Sequence, residues 1–189
     1  MWMLYALGVI FFLLLSLYSW FGIKRAYEKG KTLPLRVSVA IWIGDTLHSI
    51  LVLWASLGGL WLMPINATAA LIGGSVLVAV GLVIMLLGML EFRSFKRMSG
   101  LDSSKLITTG IYRYSRNPQY TGWFLALIGI SIMGRSLLAL LLTVALLMGI
   151  HLYNVKLEEP YLERIFGEEY LRYKESTPRY FGMPKRRNK

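Results

Sequence analysis

The sequence GIYRYSRNPQYTG, from Gly110 to Gly122, precedes an apolar hairpin, and LEEPYLERIFGEEYLRYKESTPRYFG, from Leu157 to Gly182, follows it. We call these segments the first and second polar blocks. Because an apolar hairpin returns the chain to the side where it began, both blocks are predicted to lie at one membrane face. Pro118 disfavours helical geometry at Asn117 and can itself begin the next helix. Arg116 and Asn117 are therefore expected at a helix N-terminus, where unpaired N–H groups favour an anion.

The composition is that of a membrane protein. Of the 189 residues, 56% are hydrophobic and 13% aromatic, which is too apolar for an ordinary soluble domain. The net charge of +11 comes from basic residues confined to segments beside apolar runs, and no nucleic-acid-binding motif accompanies it. The chain has no cysteine and only two histidines, so we expect neither a metal centre nor a nucleic-acid partner.

The apolar runs predict an all-α integral membrane protein of about five transmembrane helices, forming one domain over residues 1–189. The fourth run is short for a span unless it extends back toward Pro118 or has protein around it. Basic residues follow the first run instead of preceding it, which favours a retained anchor over a cleaved signal peptide. The five runs are Met1 to Ile23, Val37 to Met63, Ala67 to Leu90, Tyr120 to Met133 and Leu137 to Tyr153.

The charged connections predict the orientation. Lys24 to Arg36 reads as a surface loop, and Glu91 to Arg116 forms a second polar connection. With five spans, all but one of the 21 basic residues lie on one side, and Arg135 stands alone on the other. The amino terminus is therefore predicted outside, with the polar blocks and the carboxyl terminus in the cytoplasm.

In the second block, Glu158 and Glu159 precede Pro160. This order predicts that the fifth span ends there and that the carboxylates stand at the positive end of a new helix, able to accept hydrogen bonds from a ligand. Apolar residues at three- and four-residue steps from Pro160 to Glu175 predict an amphipathic helix on the cytoplasmic membrane face.

Two sets of residues within the spans have open interpretations. Gly74, Gly81 and Gly88 recur every seven residues, so they line one helix face and favour close helix packing or a cofactor lying against the Gly88 end. Asp45 and His48 share a face of the second span, where they either pair structurally or contact a substrate.

Together the blocks closely resemble the signature of the isoprenylcysteine carboxyl methyltransferase and phospholipid methyltransferase superfamily. That signature reads roughly G-x-Y-x-x-x-R-H/N-P-x-Y-x-G, then E-E, then F-G-x-x-Y-x-x-Y and a late Arg, and every position is filled here. The resemblance covers about Gly74 to Gly182, so residues 67–182 are taken as a methyltransferase-like core. Residues 1–66 form two generic spans and 183–189 a basic tail. It implies a membrane enzyme that uses S-adenosyl-L-methionine and a lipid-like acceptor entering from the bilayer.

The resemblance also implies roles for individual residues. Asn117 stands where the family more often has His, and Asn can hydrogen-bond a cofactor but cannot shuttle protons. The late Arg corresponds to a basic position near the reaction centre, filled by Arg179. The implied cofactor residues are Gly110, Tyr112, Arg116, Asn117, Pro118, Tyr120, Glu158 and Glu159, with Gly88 as a further candidate.

The acceptor is less constrained by the sequence. His151 precedes Glu158 by seven residues, close to two α-helical turns, with Asn154 between them. A polar track of His151, Asn154 and Glu158 would serve an acceptor that must lose a proton, such as a lipid or small amine or a thiol. We therefore hypothesise such an acceptor in preference to a prenylated carboxylate. Alternatively, His151 only hydrogen-bonds a neighbouring helix.

Two other functions also agree with the pattern. A sterol-type membrane reductase presents a related Arg-x-Pro-x-Tyr-x-Gly block but uses NADPH, and a non-enzymatic membrane partner could share the fold. Against the reductase, the Glu-Glu pair and the F-G-x-x-Y-x-x-Y spacing fit methyltransferases better.

The charge distribution predicts that a cysteine placed at Lys189 is protected from an impermeant thiol reagent in intact cells. The chain has no native cysteine, so the label reports this position alone. Labelling without permeabilising the cells would contradict the five-span arrangement.

Overall fold

A computed structural model describes residues 2–184, and over these residues the protein is helical, with one isolated β-bridge between Leu62 and Ser136. The helices are α1 (Trp2–Glu28), α2 (Leu35–Leu57), α3 (Ala67–Glu91), the short α4 (Phe95–Met98), α5 (Pro118–Met133), α6 (Leu137–Tyr153), α7 (Glu159–Phe166) and α8 (Glu168–Ser176). A 3₁₀ turn at Gly110–Arg113 precedes α5, and a π-helical turn at Asn154–Glu158 joins α6 to α7.

Four helices in the described part of the chain are long and apolar enough to cross a membrane: α1, α2, α3 and the continuous helix Leu137–Phe166. The predicted all-α, multi-pass membrane fold is therefore confirmed. The fourth predicted span, α5, has 16 residues and a length of about 24 Å, short of the roughly 30 Å hydrocarbon core. The helix begins at Pro118, in agreement with the predicted extension of the fourth apolar run toward this residue.

The short helix α5 runs antiparallel to α3 through a contact made by glycines. Along α3, Gly74 meets Gly129, Gly81 meets Gly122, and Gly88 meets Pro118 and Gln119. A Cβ atom on Gly81 would lie 2.5 Å from the carbonyl oxygen of Gly122, so the two backbones approach more closely than larger residues allow. This packing brings the first polar block to the carboxyl end of α3.

Two loop boundaries differ from the predictions. Residues 24–36 do not form one loop, because α1 continues to Glu28 and α2 begins at Leu35. The second span ends at Leu57, not at Met63, and the chain then turns through Gly59, whose φ is +55°. The charged residues between Lys24 and Glu28 can belong to α1 because their long side chains reach solvent from the end of the helix.

The predicted helix break at Pro160 is wrong. The π turn carries α6 directly into α7, and its wider hydrogen-bonding pattern accommodates a residue that has no N–H to donate. Glu158 and Glu159 therefore lie within a continuous helix, and the helix-dipole argument for their charge does not apply.

The predicted amphipathic helix from Pro160 to Glu175 is two helices. Gly167 has φ +52° and ψ −128°, a conformation that favours glycine, and it separates α7 from α8. The second polar block consequently folds back on itself toward the first. In the predicted basic tail 183–189, residues 185–189 lie outside the described part of the chain.

The α3–α5 contact predicts that Gly81→Val destabilises the protein by at least about 1–3 kcal/mol, because the added methyl groups meet backbone atoms of α5 that cannot move aside. Gly73→Val on the same helix is the matched control, since a Cβ there meets no atom within 4 Å. Thermal unfolding of both variants in the same detergent measures the difference. Equal stability of the two would contradict the packing.

Candidate active site

The two polar blocks meet at one end of the helices and enclose a cavity of about 370 Å³. Its walls come from α2, the carboxyl end of α3, the connection 97–107, the start of α5, and the helices α7 and α8. Six of the residues proposed from the sequence line it: Tyr112, Arg116, Asn117, Tyr120, Glu158 and Glu159. A cavity of this size falls in the range of small-molecule sites, about 300–1,000 Å³.

Glu159 is the centre of a buried ion network. Its Oε1 accepts a hydrogen bond from Arg116 Nη1 at 2.9 Å and another from Arg179 Nε at 2.6 Å. Arg179 Nη2 donates to Oε2 at 3.1 Å, and Lys174 Nζ lies 3.4 Å from the same oxygen. The Glu159 and Arg116 side chains are only 6% and 8% exposed. One carboxylate therefore joins α7, α8, the segment before α5 and the segment after α8.

Backbone contacts reinforce this network. Arg116 Nε donates to the Thr177 carbonyl at 3.1 Å, and the Arg116 backbone N–H donates to the Pro178 carbonyl at 2.9 Å. Asn117 Nδ2 donates to the Arg179 carbonyl at 3.2 Å. The segment 177–179 is thus held across the entrance to α5. Arg116 and Asn117 do stand at a helix N-terminus, but their side chains are directed to protein partners.

The charges of the network are fixed. The hydrogen bond from Arg179 to Glu159 raises the pKa of this guanidinium, and the hydrogen bond from Lys174 to Glu163 raises the pKa of the ammonium. Both groups remain cationic at neutral pH. Burial raises the pKa of the Tyr173 hydroxyl, which donates to the Tyr112 carbonyl at 2.8 Å and joins α8 to the 3₁₀ turn.

Two charged groups of the cavity retain free hydrogen-bonding capacity. Glu158 forms no ion pair with any residue in 2–184, although it lines the cavity next to the Glu159 network. Arg116 uses Nε and Nη1 for protein contacts, whereas its Nη2 has no partner among the described residues. Glu158 and Arg116 therefore present a carboxyl group and a free guanidinium nitrogen to the same cavity.

The remaining proposed residues lie elsewhere. Gly88 and Pro118 pack against each other between α3 and α5, away from the cavity lining. Gly110 has φ +55° and lies against Glu91, so it shapes the turn that leads into Tyr112. Arg179 acts on the cavity through Glu159.

The predicted polar track from His151 to Glu158 does not form. A π turn holds more residues than an α turn, so the seven-residue spacing no longer places these two side chains on one face. His151 Nδ1 lies 2.8 Å from the Tyr180 hydroxyl and lines a separate apolar cavity between α5 and α6. Asn154 is fully buried, and neither of its side-chain polar atoms has a partner in the described chain.

Of the α2 residues that line the cavity, sequence reasoning singled out only Asp45 and missed the other three named here. Ser38, Trp42, Asp45 and Ser49 all line the cavity, opposite the polar blocks. Their spacing of four, three and four residues is the periodicity of one helix face, and this was the available signal. His48 faces another direction, with Nε2 3.2 Å from the Leu142 carbonyl, so Asp45 and His48 do not pair.

Comparison with known proteins finds sequences similar to this chain. Residues 69–169, more than half of the chain, match the sequence model of the phospholipid methyltransferase family. The chain is 35% identical over 83 residues to protein-S-isoprenylcysteine O-methyltransferase of Xenopus laevis, covering 44% of this chain and 28% of that protein. It is 31% identical over 115 residues to a probable protein-S-isoprenylcysteine O-methyltransferase of Oryza sativa subsp. japonica, covering 59% of each chain. The chain thus spans less than two thirds of these relatives, and no solved structure matches it.

The ion network predicts that Glu159→Gln destabilises the protein by about 3–5 kcal/mol, because it leaves the buried Arg116 guanidinium and the partly buried Arg179 guanidinium without their shared counter-charge. Glu163→Gln is the matched control, since Glu163 lies one turn further along α7, is 35% exposed and, among residues 2–184, pairs with Lys174 alone. Its expected cost is below about 1 kcal/mol. Thermal unfolding in detergent compares the two, and equal losses would contradict a central role for Glu159.

Proposed function

Because the chain belongs to the phospholipid methyltransferase family, we propose that it transfers a methyl group from S-adenosyl-L-methionine to an acceptor carried in the membrane. The observation that supports this most is the pair of free charged groups, the Glu158 carboxylate and Arg116 Nη2, in the cavity between the two polar blocks. The methionine end of the cofactor carries an ammonium and a carboxylate. These two charges match the pair.

The fit to the cofactor depends on unpaired polar atoms. Glu158 would accept a hydrogen bond from the cofactor's ammonium, and Arg116 Nη2 would donate to its carboxylate. Asn117 and Tyr120 line the same cavity and complete the block that the resemblance assigns to the cofactor. Glu159 would act indirectly, because it holds Arg116 and Arg179 in place.

The bound cofactor supplies a methyl group on a positively charged sulfur, open to in-line attack. The protein's part is to align the acceptor with that methyl group and to exclude water. The segment 177–179 and the helices α7 and α8 cover the cavity at the polar end, while α2 and α3 bound it within the membrane. Arg116 and Arg179 both donate hydrogen bonds to Glu159, which holds their guanidinium groups in position during the reaction.

The acceptor reaches the cavity from the bilayer, because α2 and α3 are spans and their residues form its inner walls. The relatives' names point to an isoprenylcysteine carboxylate, and the family's name points to a phospholipid amine. A thiol is a third class of acceptor. We infer from the distribution of basic residues that this end of the helices faces the cytoplasm.

The cofactor assignment predicts that S-adenosylhomocysteine raises the melting temperature of the detergent-solubilised protein, because a ligand that binds only the folded state stabilises it. Glu158→Gln should weaken this binding by about 1.5–3 kcal/mol, the value of a hydrogen bond to a charged group. Glu168→Gln, on the exposed side of α8, is the control and should bind normally.

Other results of the same thermal-stability experiment would favour one of the alternative functions. Stabilisation by NADPH in place of S-adenosylhomocysteine would favour the reductase, and stabilisation by neither would favour a non-enzymatic partner. Normal binding by a folded Glu158→Gln variant would reject the role of this carboxylate.

A further inference from the structure

A polar stripe on α2 forms one wall of the cavity. Its four members, Ser38, Trp42, Asp45 and Ser49, follow one helix face. Ser38 Oγ donates to the Ser99 carbonyl at 2.9 Å, and Trp42 Nε1 donates to Ser99 Oγ at 3.3 Å. Ser49 Oγ accepts from the indole N–H of Trp123 at 3.2 Å. Three members of the stripe are therefore occupied in holding the wall together.

Asp45 is the exception. Its carboxylate forms no ion pair and accepts no hydrogen bond from any residue between 2 and 184; only its backbone carbonyl is used, by Ser49 Oγ at 2.9 Å. A charged group within a transmembrane helix is costly unless it is paired, so an unpaired one that borders a cavity indicates a ligand. The family match begins at residue 69 and does not include α2.

The surroundings of Asp45 suit a cation. Trp42, Tyr120 and Trp123 line the same cavity, and aromatic faces attract ammonium groups. Tyr120 lines the same cavity as the two carboxyl groups of Asp45 and Glu158. The cavity thus contains two carboxyl groups that form no ion pair with residues 2–184, Glu158 at the π turn and Asp45 on α2.

We propose that Asp45 binds the ammonium group of a primary-amine acceptor and removes its proton before methyl transfer. This inference rests on the proposed function, in which Glu158 and Arg116 hold the cofactor at the polar end. It also gives α2 a chemical role, and it replaces His151 as the proton acceptor, since His151 lies in the separate apolar cavity.

The step balances as follows. The Asp45 carboxylate takes one proton from R–NH₃⁺, giving R–NH₂ and a neutral carboxylic acid. The nitrogen lone pair forms a bond to the methyl carbon, and the carbon–sulfur bond breaks with its electron pair going to sulfur. The products are R–NH₂–CH₃⁺ and the neutral thioether, and Asp45 returns its proton to water when the product leaves.

Electrostatics distinguish this acceptor from a carboxylate. An ammonium is attracted to Asp45 in a low-dielectric site, whereas the carboxylate of an isoprenylcysteine would meet a like charge there. A carboxylate acceptor is already deprotonated, so its methylation requires no base and would give Asp45 no role in the reaction.

The test uses the full chain in detergent, with labelled S-adenosyl-L-methionine and three acceptors: phosphatidylethanolamine, free ethanolamine and a farnesylcysteine analogue. We expect methylation of phosphatidylethanolamine and a loss of at least about 100-fold in kcat for Asp45→Asn, the scale of removing a general base. Asp45→Glu should recover part of the rate. S-adenosylhomocysteine affinity should stay unchanged, and Glu28→Gln, an exposed carboxylate at the end of α1, should behave as wild type.

A chemical rescue separates a proton acceptor from a structural residue. A lipid aminooxy analogue, whose nitrogen is unprotonated at neutral pH, should be methylated by Asp45→Asn at close to the wild-type rate. If Asp45→Asn no longer binds S-adenosylhomocysteine, Asp45→Ser takes its place in the same comparison. If free ethanolamine is methylated as fast as phosphatidylethanolamine, the amine acceptor is a soluble molecule and not a lipid headgroup.

Three results would overturn the inference: an amine rate within about twofold of wild type for Asp45→Asn, no rescue by the aminooxy lipid, or methylation of farnesylcysteine alone. All three presuppose that wild-type protein binds S-adenosylhomocysteine. Failure of that binding would instead reject the proposed function itself, together with the inference that depends on it.

Discussion

The ion network around Glu159 is the interaction on which the cavity depends. One carboxylate lies on the continuous helix from α6 to α7, and its partners Arg116 and Arg179 come from segments 43 residues before it and 20 residues after it. A buried guanidinium without a counter-charge is far more costly than an exposed one, so each arginine requires the other segments to be in place. The network therefore closes the cavity only when both polar blocks have folded together.

Glycine packing between α3 and α5 sets the position of that network along the helices. The length of α5 does not by itself determine the position of this helix across the bilayer, because at about 24 Å it is shorter than the hydrocarbon core. Gly81 and Gly122 remove this freedom, since their backbones touch and other registers would bring larger residues into the contact. Arg116 immediately precedes α5, so the same contact fixes its distance from Glu159.

The sequence predicts well the features that depend on local chemistry or on the hydrophobic pattern. The start of α5 at Pro118, the limits of α3 and the meeting of the two blocks all follow from proline geometry, apolar length and chain reversal. It predicts poorly the geometry around Pro160, because a proline either ends a helix or is absorbed by a π turn, and nothing local decides between them. The π turn before Pro160 also determines whether the side chains of His151 and Glu158 lie on the same face of the helix.

The sequence left the role of α2 open for another reason. Asp45 and His48 are three residues apart on one helix, yet Asp45 borders the cavity while His48 is buried against the Leu142 carbonyl. Helical spacing places both near one face but does not reveal which neighbour covers each side chain, and that depends on how α5 and α6 pack on α2. The family signature lies in the polar blocks, which supply the residues that we propose for the cofactor. The proposed acceptor would meet the α2 wall, where one carboxylate without a partner among residues 2–184 would favour a cation over an anion.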